Sequence, residues 1–191
     1  MRHAGGVCTG RWKTGRKVAG ALCTSLLMMA PGSAGAAEET PPVQTVAAVE
    51  LERYLGKWYE IARFPMFFQR NCVGDVTADY SLREDGRIRV LNRCRTDKGF
   101  DEAEGTARVV EDSGGAKLRV SFFWPFSGDY WIIGLAPDYR WAVVGDPERK
   151  YLWILSRTPA MPLDVLEKAR QAARDQGYDL GGLRYTEQRL D

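Results

Sequence analysis

Lys117-Leu118-Arg119-Val120-Ser121-Phe122-Phe123 alternates polar and apolar side chains, the period of two that belongs to a β-strand with one buried face. Leu118, Val120 and Phe122 make the buried set. Arg87-Ile88-Arg89-Val90 repeats the pattern, so Ile88 and Val90 also point inward. Working outward from these two runs, candidate strands fall at 58–64, 76–82, 87–92, 104–110, 117–123, 130–135, 141–144 and 151–156. Between them lie turn residues such as Glu84-Asp85-Gly86, Ser113-Gly114-Gly115, Ser127-Gly128 and Gly145-Asp146-Pro147. Eight short strands on short connections make an antiparallel meander, and closing it removes exposed edges. After Ser156-Arg157-Thr158-Pro159 the period turns helical. Pro162 stands near the first helical position, Val165, Leu166, Ala169, Ala172 and Ala173 form one apolar stripe, and Gly177 ends it. The expected fold is all-β: an eight-stranded antiparallel up-and-down barrel with a C-terminal α-helix packed outside. A short turn of helix through 50–54 precedes the first strand, and 180–185 is expected to return as a short strand.

The 191 residues carry 27 Lys and Arg against 25 Asp and Glu, but five of the basic residues, Arg2, Arg11, Lys13, Arg16 and Lys17, lie in the first 36 positions, which hold no acidic residue. Beyond them 22 basic residues face 25 acidic ones, a net of −3. Dispersed charge of that sign lacks the basic stripe of a nucleic-acid binder. The first 36 residues read as an export signal: a basic stretch, an apolar run from Val18 to Ala30, then Ala34-Gly35-Ala36. Thirteen apolar-run residues are too few to span a bilayer. Cys23 raises the alternative of a lipid anchor, but Leu22 stands where a small residue is usual. Residues 37–48, with Glu38-Glu39-Thr40-Pro41-Pro42, read as a polar linker. The expected location is the periplasm, associated with the outer membrane if an anchor is present.

Removing the leader takes away His3, the only histidine, and leaves Cys72 and Cys94 as the only cysteines. That excludes His-based triads and most transition-metal sites, and no cofactor is expected. An oxidising compartment favours a disulfide between the two cysteines over free thiols. With a two-residue Asp85-Gly86 turn, Arg83 would face Ile88 and the cysteines would be several residues out of register. A bridge therefore requires the loop around Asn71 to fold back.

Strand alternation places Ala62, Phe64, Val76, Ala78, Tyr80, Gly105, Ala107, Tyr130, Ile132, Trp153 and Leu155 on the inner face. Small residues among large ones leave room that a solid core would fill, and a barrel of eight strands is wide enough for one small ligand. The candidate ligand-binding set is Ala62, Phe64, Ala78, Val90, Phe122, Tyr130, Ile132 and Trp153. Glu60 also has inward parity, in a structural, hydrogen-bonded role. At the mouth, Phe67, Phe68, Phe100, Trp124 and Phe126 form an apolar lip suited to a membrane surface or to a second copy of the chain. Arg70, Arg93, Arg95 and Lys98 are available there for a carboxylate or phosphate, with Arg95 the chosen candidate.

Gly56-Lys57-Trp58, Pro137-Asp138-Tyr139 and Arg157, in this order, resemble the three marker motifs of the lipocalin family. The longer strings Gly56-Lys57-Trp58-Tyr59-Glu60-Ile61-Ala62-Arg63 and Tyr151-Leu152-Trp153-Ile154-Leu155-Ser156-Arg157-Thr158-Pro159 are similar to its bacterial outer-membrane branch. The resemblance covers about 49–188, taken as the domain, and departs where Pro137 replaces a Thr. It implies a calyx for a small hydrophobic ligand, a fatty acid or lysophospholipid, stored or carried in membrane maintenance or stress response. Gly56, Trp58, Asp138, Tyr139 and Arg157 are then structural, with the Arg157 guanidinium over the Trp58 indole. The alternatives are an enzyme on the same scaffold, which the missing histidine disfavours, and a homodimeric partner-binding module joined through the lip.

Overall fold

The computed structural model describes residues 40–189; the expected export signal and cleavage site, with Cys8 and Cys23, lie outside the described residues. A short helix α1 (Leu51–Tyr54) leads into eight strands: β1 (Gly56–Arg63), β2 (Gly74–Leu82), β3 (Ile88–Thr96), β4 (Gly99–Val109), β5 (Lys117–Phe123), β6 (Phe126–Leu135), β7 (Trp141–Gly145) and β8 (Leu152–Ser156). Each pairs antiparallel with the next, and β1 pairs with both β8 and β2, which closes the ring. Helix α2 (Leu163–Asp175) lies outside, and a two-residue strand β9 (Arg184–Tyr185) adds to the upper end of β1.

Two apolar clusters flank the barrel wall. The inner one contains Trp58, Tyr80, Ile88, Val90, Ala107, Leu118, Ile132, Val144 and Leu155. The outer one gathers Ile61, Ala62, Val143, Leu152 and Ile154 under Ala169 and Ala173 of α2 and Tyr178 beyond it. Strand and helix periods thus serve different faces: residues at alternate positions of β7 and β8 divide between lumen and helix. Part of the expected linker belongs to this packing. Val43 is buried in the outer cluster, and Val46 donates its N–H to the Ile132 carbonyl at 2.9 Å.

The first hairpin turn is one residue longer than expected. Arg83 N–H donates to the Arg87 carbonyl at 2.8 Å and Leu82 faces Ile88, so Glu84-Asp85-Gly86 form the loop and Arg83 does not face Ile88. The second correction concerns β1. Glu60 pairs with Leu155 but Ala62 pairs with Ile154, so Ile61 is an extra residue, a β-bulge that reverses the parity of everything after it. Ala62 and Phe64 therefore leave the lumen for the outer cluster, where the Phe64 ring lies 6.0 Å from that of Tyr178. Arg63, opposite Trp153, turns to the inner face instead.

Above the bulge β1 and β2 part, and the C-terminal segment fills the seam. Thr186 N–H donates to the Ile61 carbonyl, and Asp75 N–H to that of Glu187. The Gln188 amide donates at 2.8 Å to both the Glu60 and Val76 carbonyls. Backbone groups left over where two strands diverge need such partners.

Candidate functional site

The odd-numbered connections form the mouth and the even-numbered ones the base, where α1 closes the ring. Trp58 stands fully buried there and donates from its indole N–H to the Tyr54 carbonyl at 2.8 Å. The Arg157 guanidinium lies 3.8 Å from the Trp58 ring centroid. It donates to the carbonyls of Lys57 at 2.9 Å, Arg53 at 2.6 Å and Tyr54 at 3.1 Å. Burial lowers the Arg157 pKa from its ordinary value. Gly56 has φ +89, a conformation that side chains disfavour. Tyr139 accepts the Glu50 N–H at 2.8 Å through its hydroxyl, and Asp138 pairs with Arg140. The missing Thr of the second motif leaves the turn intact: Pro137 contributes its carbonyl to Arg53 at 3.0 Å.

A tyrosine bar crosses the barrel. Tyr80 on β2 and Tyr130 on β6 lie on opposite sides of the eight-strand ring, and their hydroxyls meet at 3.0 Å. Tyr54 reaches the same point from α1, its hydroxyl 2.8 Å from that of Tyr130. Burial pushes the Tyr80 phenol up to about 12, and those of Tyr54 and Tyr130 well above their ordinary value. All three stay neutral over the physiological range. Toward the base, Trp58, Ile88, Leu118, Ile132 and Val144 are sealed from solvent.

Toward the mouth the inward-facing residues are only half-buried: Ala78, Asn92, Val120, Phe122, Trp153 and the Tyr130 ring. One wall is small, with Ala78, Ala103 and Gly105; the other is aromatic. A Cβ on Gly105 would stand 2.9 Å from two Phe122 ring atoms, so that ring packs against the glycine. The inner face is thus half-covered toward the mouth and sealed beyond the tyrosines. Of the sequence candidates, Ala78, Phe122, Tyr130 and Trp153 share the half-covered part. Val90 and Ile132 share the inner face but belong to the sealed layer, and Ala62 and Phe64 are outside the wall.

Arg95 is also corrected. Alternation along β3 from Ile88 turns it outward, where it is held by Asp75 at 2.7 Å and Glu187 at 3.3 Å. Arg93 is outward as well, its guanidinium 3.7 Å from the Phe100 ring centroid. Arg63, which the bulge turns to the inner face opposite Trp153, is a cation that strand alternation places outside. It donates to Glu60 at 3.0 Å, while Gln69 from the first mouth loop bridges Glu60 at 3.0 Å and the Trp153 indole N–H at 3.1 Å. The Arg63 Nε is buried and has no hydrogen-bond partner. Glu60 also takes a hydrogen bond from Thr186, which gives this buried carboxylate the structural partners expected of it.

At the rim Phe67, Phe68, Phe123, Trp124 and Phe126 are exposed, Trp124 to 92%. Ring contacts lead inward from Phe67 to Phe68 at 5.3 Å, Tyr151 at 5.9 Å and Trp153 at 6.0 Å. The first loop is tied down by the Cys72–Cys94 disulfide, with Cα atoms 5.5 Å apart. The fold-back it required is present, since Cys72 N–H donates to the Gln69 carbonyl at 3.1 Å. Among the described residues no group of three or more His, Cys, Asp or Glu side chains stands where it could hold a metal ion.

A closed eight-stranded calyx with an external helix, an Arg–Trp lock at its base and an open mouth defines a lipocalin. The family described as lipocalin-like domain matches residues 49–188, and the chain belongs to it. It is 42% identical over 170 residues to the outer membrane lipoprotein Blc of Vibrio cholerae, covering 87% of this chain and 95% of that one. It is 39% identical to temperature-induced lipocalin-1 of Arabidopsis thaliana, over 78% of this chain and 85% of the relative. Among solved structures, insecticyanin of the tobacco hornworm Manduca sexta superposes with a TM-score of 0.63 at 20% identity, over 78% of this chain and 86% of that one. The family is one of binding and transport proteins for small hydrophobic ligands.

Proposed function

We propose that the protein binds a single-chain amphipathic lipid, a fatty acid or lysophospholipid, and stores or carries it in the maintenance of the bacterial envelope. The observation that carries this reading is the contrast in burial along the inner face: sealed below the tyrosine bar, half-open above it, with aromatic rings continuous from Phe67 to Trp153. An apolar cup with few polar groups suits one acyl chain. The headgroup is assigned to the Arg63 side of the mouth, where the guanidinium, paired with Glu60, keeps one buried N–H without an acceptor that a carboxylate or phosphate oxygen would supply. The exposed lip, with Trp124 at its tip, supports docking on a membrane surface during loading. Relatives named as outer membrane lipoproteins support a periplasmic, membrane-associated location.

The test is a titration of delipidated protein with a lysophospholipid and a free fatty acid, followed through Trp153 fluorescence with Trp153→Phe as control. Saturable change that disappears in the control is expected. Absence of binding to both would return the lumen to a closed core and leave the lip as the active surface.

A further inference from the structure

The tyrosine bar is more polar than a floor for a hydrocarbon chain requires. Three phenols carry three O–H groups, yet their mutual contacts are two, Tyr54 to Tyr130 at 2.8 Å and Tyr80 to Tyr130 at 3.0 Å. Each hydrogen bond uses one proton. Whatever the direction of donation, one O–H is left over. Tyr130 is the hub and is also the half-buried member, whereas Tyr54 and Tyr80 are buried. A polar group kept in a desolvated place without a partner is unfavourable, and Phe at these positions would line an acyl-chain floor with the same rings.

A methyl-terminated chain reaching this floor would leave the spare O–H buried and unpaired. A carboxylate there would be desolvated with only neutral phenols to receive it, since burial holds all three tyrosines in their protonated form. An oxygen that is neutral and accepts one hydrogen bond satisfies both conditions. We infer that the calyx selects ligands carrying a neutral oxygen, as a hydroxyl, carbonyl or ester, at the end of the chain that reaches Tyr130. The inference rests on the lipid-binding reading above and makes the tyrosine trio, with Tyr130 as its hub, the specificity-determining element within it.

The experiment compares dodecanoate with its ω-hydroxy derivative, binding to the delipidated full-length mature protein by Trp153 fluorescence. The ω-hydroxy acid is expected to bind about fivefold more tightly, the ratio that one net hydrogen bond supports. With Tyr54, Tyr80 and Tyr130 all replaced by Phe, no O–H remains at the floor and that ratio falls to about one. In Tyr80→Phe it persists, because the Tyr54–Tyr130 pair still holds two O–H groups and a single mutual hydrogen bond. Saturable binding of both acids to the wild type with equal affinity, or tighter binding of plain dodecanoate, overturns this inference and leaves the lipid-binding reading standing. A preference that survives the triple variant overturns the role of the phenols. No binding of either acid overturns both. The wild-type comparison decides alone should the triple variant fail to fold.

Discussion

Arg157 and Trp58, ninety-nine positions apart in the chain, are stacked guanidinium on indole with 3.8 Å between the charge and the ring centroid. The same guanidinium gathers the carbonyls of Arg53, Tyr54 and Lys57 at the end of α1 and the start of β1. One side chain thereby ties β8 to the helix that closes the base. Arg157→Ala removes a cation–π contact and several charge-assisted hydrogen bonds together, and is expected to destabilise the fold by about 2–4 kcal/mol in urea unfolding. Arg157→Lys recovers less than half of that, because an ammonium cannot both stack flat and serve three carbonyls. A loss below about 0.5 kcal/mol for Arg157→Ala would place the base lock elsewhere.

The Cys72–Cys94 bridge closes a loop with a sequence separation of 22, and a loop of that length constrains the unfolded chain by about 3 kcal/mol. Cys72→Ser with Cys94→Ser is expected to lower stability by about that amount. The change is also expected to have a local signature: limited proteolysis should cut near Phe67 to Asn71, because that loop loses its tie to β3 while Gln69 retains its contacts with Glu60 and Trp153. Equal protease resistance in the two proteins would show that the hydrogen bonds alone hold the loop.

The buried phenols make stability fall on the alkaline side. A phenol whose pKa is raised in the folded state retains its proton after the unfolded chain has lost its own, so its contribution is whole below pH 10 and declines as pH rises through the folded value. For Tyr80, pushed up to about 12, the window runs from 10 to about 12 and the loss at its upper end is about 3 kcal/mol. Tyr54 and Tyr130 are raised too and steepen the decline. Urea midpoints measured across that window should drop steeply in the wild type and less in Tyr80→Phe; parallel curves would mean that the Tyr80 phenol titrates as it does in the unfolded chain.

Where the sequence was legible, the signal was local. Alternation over Lys117 to Phe123 gave β5 to the residue, and the stripe from Val165 to Ala173 gave the helix face, because both periods are written within a few neighbouring positions. The three marker residues at the base were found by their order along the chain. What was not legible depends on partners far away. The bulge at Ile61 is an accommodation between β1 and its neighbours, and it moved Ala62 and Phe64 outside and Arg63 inside with no mark in β1 itself. Arg95 is different, since counting by twos from Ile88 already turns it outward. The tyrosine bar needs strands on opposite sides of the closed ring, so only closure brings Tyr80 to Tyr130.

Gly105 is the position where wall packing and ligand capacity meet. It is buried on the inner face of β4 opposite Val90, and the Phe122 ring from the neighbouring strand occupies the space where a side chain would begin. A Cβ there would stand 2.8 Å from the Ser121 carbonyl oxygen and 2.9 Å from two Phe122 ring atoms, closer than such atoms approach, so the backbone or the ring must move. The ring is the softer of the two, since rotation about its side-chain bonds carries it into the open lumen. Gly105→Ala is therefore expected to weaken lipid binding by about tenfold, with a stability cost of about 1–2 kcal/mol from overpacking. Gly105→Ala combined with Phe122→Leu, which gives the new methyl room, should restore affinity toward the wild-type value in the same Trp153 titration. Affinity unchanged in Gly105→Ala would show that the wall shifts and the lumen keeps its width; affinity lost in both variants would place the effect in the backbone of β4.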